Sequence, residues 1–127
     1  MNGALKGVRV IDLTAIIAGP LGTRMLAEYG ADVIKVEPPA GDMLRASAPS
    51  RHPQLGALFL NLNRNKRAIV LDLKSPQAME VMHKLIAGAD VLQKQSSDRA
   101  SADDADAHVC APLMLDFATS CAVAIPW

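Results

Sequence analysis

An α/β fold on a parallel sheet is what this chain predicts. Three observations predict it: a strand, a glycine-proline turn, a helix and a second strand run unbroken from Val8 to Glu37; a strand and helix follow over Ala68 to Ile86; another strand opens at Asp90. Val8-Arg-Val-Ile-Asp-Leu13 is β-branched and nearly all apolar, as suits a strand covered on both faces. Gly19-Pro20 ends it, and Pro20 fits a first helical position because its φ is already helical and its missing N–H would lack a partner there.

The helix runs to about Tyr29. Leu21, Met25 and Leu26 share one face, Arg24 and Glu28 make an opposite-charge pair four residues apart, and Gly30 sits where a left-handed cap is favoured. Asp32–Glu37 is the second strand, stopped by Pro38-Pro39, neither of which can donate to a ladder. Residues 38–58 form a long connection rich in proline, glycine and charge, in which Asp42 and Arg45 are spaced to pair with each other on a short helix. Leu58–Asn63 shows partial alternation. Arg64-Asn-Lys-Arg67 then places three cations ahead of the strand Ala68–Leu73. Ser75 is the N-cap of the next helix with Pro76 at its first position; Ala78, Val81, Met82, Leu85 and Ile86 make its sheet-facing side, Met79 and Met82 read as core, and Gly88 ends it before Asp90-Val-Leu92.

In an open parallel sheet ligands dock beyond the carboxyl ends of the strands, where N–H groups at a helix start meet the positive end of its dipole. Thr14–Gly22 occupies that place. Its Ala18-Gly-Pro-Leu-Gly22 lacks a Gly-x-Gly-x-x-Gly, and Pro20 removes a donor, which argues against a nicotinamide dinucleotide although Glu37 stands where a ribose-binding acid would. The plain alternative is that Gly19-Pro20 only turns the chain. The Arg64–Arg67 turn suits a phosphate-bearing ligand, or is simply a solvated turn.

The 127 residues suit one domain, and thirteen basic side chains balance thirteen acidic ones, so no nucleic-acid surface is indicated. No run of about eighteen apolar residues and no charged-then-apolar leader is present, which predicts a cytoplasmic protein without a membrane segment. Cys110 and Cys121 lack metal-site spacing, and no metal is expected. Beyond Leu92 the signals lapse: residues 93–108 are polar and aperiodic, and 110–127 are apolar without design, so 93–127 reads as an irregular or disordered tail. His108, Cys110 and Asp116 match no catalytic spacing, and no catalytic residue is assigned.

Leu5-Lys-Gly-Val-Arg-Val-Ile-Asp-Leu-Thr14, Ala18-Gly-Pro20, Leu26 to Pro39, Gly41-Asp42, Asn63 to Arg67, Leu71-Asp-Leu-Lys74 and Ala89-Asp-Val-Leu92 together resemble the amino-terminal part of the class III coenzyme A transferases, with α-methylacyl-CoA racemases as relatives. The resemblance covers residues 5 to 92. It implies a Rossmann-like domain that holds CoA or acyl-CoA as substrate, carboxylic acids as the other substrates, and full-length chains that form interlocked homodimers. By position the CoA contacts fall on Ile17 and Ala18, near Pro38, and on Leu71, Asp72, Leu73 and Lys74; Pro38 departs from the basic residue relatives often carry there. The family's nucleophilic aspartate, which forms an acyl anhydride and then a CoA thioester, lies further on and has no counterpart here. Nor has the family's Asn-Phe-x-Pro-Gly turn. Back-translating Ser96–Ala100 one base earlier permits Phe-Arg-Pro-Gly, so the tail is read as a frameshift. The expectation is therefore a truncated transferase fragment, inactive alone and unable to form the family dimer; a racemase fragment and a non-catalytic CoA-binding module are the alternatives.

Overall fold

A computed structural model describes residues 3–94 and 122–124. Strands β1 (Arg9–Asp12), β2 (Asp32–Glu37), β3 (Arg67–Val70), β4 (Val91–Gln93) and β5 (Ala122–Ala124) form one sheet in the order β3-β2-β1-β4-β5. The first four are mutually parallel, with Asp12 opposite Lys35 and Lys35 opposite Ala68, and β5 runs antiparallel to β4. The α/β fold is as the sequence predicts. Within the segment read as an irregular tail, Ala122–Ala124 contributes a strand; His108, Cys110, Asp116 and Cys121 lie outside the described residues.

Helices α1 (Ala18–Glu28) and α3 (Pro76–Ala87) each bury a face against the sheet, and a short α2 (Ala57–Leu62) precedes β3. Because strand side chains alternate between faces, Ile11, Ile34, Val36 and Leu92 pack with Met82 and Ile86 of α3, whereas Val10 and Val33 pack with Ala27 and Ala31. Three of the residues assigned to apolar helix faces fall elsewhere: Val81, Leu21 and Met25. On α3, Met79 packs against the core and Val81 is 40% exposed. On α1 the buried residues are Pro20, Thr23 and Ala27, small enough for close approach to the sheet, and Leu21 and Met25 face outward with Tyr29.

Gly30 has φ +100°, the left-handed conformation its place after α1 called for. Ser75 precedes α3 as expected and Pro76 opens it, although the Ser75 hydroxyl bonds Gln77 and caps no N–H. The partial alternation over Leu58–Asn63 belongs to α2, where Phe59 and Leu62, three apart, are the buried pair.

Candidate functional site

The chain passes from β3 to β4 across β2 and β1, so β1 lies where strand order changes direction. In an open α/β sheet a crevice opens there, beyond the carboxyl ends of the strands. Two of the sequence-predicted segments reach that edge: Ile17 and Ala18 follow β1 and start α1, and Leu71, Asp72, Leu73 and Lys74 follow β3. Ile17 is 48% exposed and Ile16 45%, two large apolar side chains held half out of the fold at the loop's crest. The first N–H groups of α1 have no intrahelical acceptor. After β3, the Asp72 carboxylate accepts from the Lys74 N–H and the Asp72 carbonyl from the Ser75 N–H, which fixes the turn and leaves Asp72 and Lys74 exposed. Pro38, at the end of β2, is exposed.

Under this edge lies a set of buried charges that sequence reading missed. Asp12, Lys35 and Glu37 occupy one face of neighbouring strands by register, each at most 2% exposed. Asp12 accepts from the Thr14 N–H and hydroxyl, from the Thr23 hydroxyl and from Lys66 Nζ at 2.9 Å. Burial pushes the Asp12 carboxyl up, but the Lys66 ammonium and the Thr14 and Thr23 hydrogen bonds outweigh it and hold it below the ordinary value. Burial likewise pulls Lys66 down, partly offset by Asp12.

Lys35 Nζ donates to the Thr14 carbonyl at 2.8 Å and pairs with Asp42 Oδ2 at 2.9 Å. Glu37 takes a forked contact from Arg45, Nε to Oε2 at 2.7 Å and Nη2 to Oε1 at 2.8 Å, and accepts the Asp42 N–H. These bonds overcome the upward push of burial and keep the Glu37 carboxyl below its ordinary value. Asp42 thus caps the short helix expected there, a 3-10 turn (Met43–Ala46) that contains Arg45, but each of the two pairs with a charge of β2 and not with the other. With both its oxygens engaged, Glu37 is not presented as a ribose acceptor.

In the basic turn before β3, Lys66 is buried on Asp12, whereas Arg64 and Arg67, 58% and 63% exposed, bond Glu28 and Asp32 at the surface. Of the three cations, only Lys66 braces the fold from within; the two arginines are solvent-exposed charges engaged in surface ion pairs. The signal lay in β2, where Val33, Lys35 and Glu37 alternate with Asp32, Ile34 and Val36, so that charge recurs on one face at period two. The described residues contain no group of three or more His, Cys, Asp or Glu arranged to hold a metal ion, and no helix among them is long and apolar enough to cross a membrane.

Residues 5–103 match the model of CoA-transferase family III, running past Leu92, where the motif-by-motif resemblance stops. The succinyl-CoA:mesaconate CoA-transferase of Haloarcula hispanica is 43% identical over 94 residues, covering 71% of this chain and 24% of that protein. The formyl-CoA:oxalate CoA-transferase of a Bradyrhizobium species is 47% identical over 94 residues, covering 72% of this chain and 22% of its own length. Among solved structures, a CAIB/BAIF family protein from Brucella suis superposes with a TM-score of 0.68 at 38% identity, over 72% of this chain and 25% of that one. The chain therefore spans about a quarter of the length of these relatives.

Proposed function

Because the chain belongs to the CoA-transferase family III, we propose that its parallel sheet forms the coenzyme A cradle of a transferase that moves CoA between carboxylic acids. The observation that carries the reading is the convergence of two loops on one sheet edge: Ile17-Ala18 after β1 and Leu71 to Lys74 after β3. Exposed apolar surface at Ile16 and Ile17 suits the uncharged parts of the thiol coenzyme, and the Lys74 ammonium together with the N–H groups starting α1 suits its phosphates. A transferase is favoured over a racemase by the activities named for both curated relatives.

The 127-residue polypeptide is proposed to bind CoA without turnover. A carboxylate that attacks an acyl group must be free to leave its hydrogen bonds, and among the described residues at this edge Asp12, Glu37 and Asp42 are locked in ion pairs, while Asp72 holds its own turn. By the family resemblance, the aspartyl anhydride and thioester steps use an aspartate with no counterpart in residues 5–92, and the interlocked dimer uses full-length chains. Titration calorimetry with CoA tests the cradle: saturable heat is expected, reduced by Lys74→Ala, and its absence removes the reading. Formation of a new acyl-CoA from a donor thioester and a free carboxylate would overturn the predicted inactivity.

A further inference from the structure

Lys35 is buried on the inner strand β2, 2% exposed, and its ammonium touches two different loops. One contact is the carbonyl of Thr14, in the loop after β1; the other is the carboxylate of Asp42, in the loop after β2. Thr14 is itself held on its other sides. Its N–H and hydroxyl both bind Asp12 Oδ1, and Gly19 approaches so closely that a Cβ there would stand 2.4 Å from Thr14 Cβ.

Two residues past Thr14, the backbone of Ile16 is left-handed at φ 66°. For a β-branched residue this conformation costs about 1–2 kcal/mol and persists only where the surroundings over-determine it. Ile16 is half exposed, so its own side chain does not supply the restraint. The contacts at the base of the loop are those of Thr14 to Asp12 and Lys35.

We propose that Lys35 is a positioning residue: from beneath the sheet edge it ties the loop after β1 to the loop after β2, and so holds Ile16, Ile17 and Ala18 in the one arrangement that receives ligand. Asp42 supplies the counter-charge that lets a lysine sit there, and the two loops are fixed as one unit. The inference rests on the CoA-cradle reading for the identity of the ligand but not for the clamp itself. If the loop populates its competent arrangement only about a tenth of the time once released, apparent affinity falls about tenfold.

The test uses the 127-residue chain and two variants. Lys35→Met leaves Asp42 buried without a counter-charge, and Lys35→Met/Asp42→Asn removes the pair while the amide oxygen can still accept the Leu44 N–H that Asp42 Oδ1 takes now. Amide hydrogen exchange is followed at residues 14–19 and, as an internal control, at Val81–Ile86 of α3, together with CoA titration. The clamp predicts exchange at least about tenfold faster in the loop of the double variant with α3 unchanged, and a CoA dissociation constant raised about tenfold. Unchanged loop exchange overturns the clamp. Faster loop exchange with unchanged CoA affinity overturns the positioning role and leaves Lys35 a structural residue only. If the parent chain itself gives no heat with CoA, the cradle reading fails, and the exchange comparison alone decides whether Lys35 holds the loop.

Discussion

Lys66 and Asp12, 54 residues apart in the chain, close an ion pair at 2.9 Å in which neither side chain exceeds 1% exposure. The lysine ends the turn before β3 and also donates to the Pro20 carbonyl and the Asn63 side chain, so one ammonium joins β1, the first turn of α1 and the end of α2. Breaking such a pair from one side strands the other charge, at about 3–5 kcal/mol. Lys66→Met is therefore expected to lose about that much in urea unfolding, and Lys66→Met/Asp12→Asn to recover part of it. A loss under about 1 kcal/mol in the single variant would show that the pair is wetter than its burial indicates.

Acid should act through the same groups. Asp12 and Glu37 both titrate below their ordinary values in the fold. The unfolded chain thus takes up protons first as pH drops, and the stabilisation these carboxylates give is complete above the ordinary range near pH 4 to 4.5. It is lost as pH falls through the lower values they hold in the fold. The urea midpoint is expected to change little between about pH 7 and 5 and to drop steeply below about pH 4; a midpoint rising over that lower interval would contradict the assignment.

Gly19→Ala tests the packing at the start of α1. The added Cβ meets the Thr14 side chain at 2.4 Å, and Thr14 cannot yield without loosening its bonds to Asp12. The expected cost is about 1–3 kcal/mol, read as a lower thermal midpoint.

Ile16→Asn works in the opposite direction. Asparagine adopts the left-handed region more readily than a β-branched residue, and the isoleucine loses little burial because it is 45% exposed. A gain of about 1 kcal/mol in the free protein is expected; a net loss would mean that the Ile16 side chain packs more strongly than its exposure implies.

Much of the framework is legible in the sequence because its signals are local. Pro38-Pro39 stops β2 at Glu37, Pro76 opens α3, and Gly30 and Gly88 follow α1 and α3 within two residues of their ends. Short α2 carries too few turns to show a helical period, so its residues show only partial alternation. The buried charges were not legible for a different reason: Lys66 finds Asp12, as the exposed Arg67 finds Asp32, through strand order, which spacing along the chain does not encode. Spacing named the right partner at Arg24 and Glu28, which bond at 2.8 Å, and the wrong one at Asp42 and Arg45, since both of those side chains are drawn to opposite charges in β2. The outward Leu21 and Met25 misled for a related reason: small Thr23 and Ala27 take the inner face of α1.

The half-ionic face of the sheet also constrains how this chain can drift. Asp12 with Lys66, Lys35 with Asp42 and Glu37 with Arg45 are matched couples in an enclosed space. An exchange at one member alone leaves a buried orphan charge, except where the orphan is Arg45, which solvent reaches. Lineages descending from this sequence should accordingly change these six positions in concert, while the valines and isoleucines beside them wander one methyl group at a time.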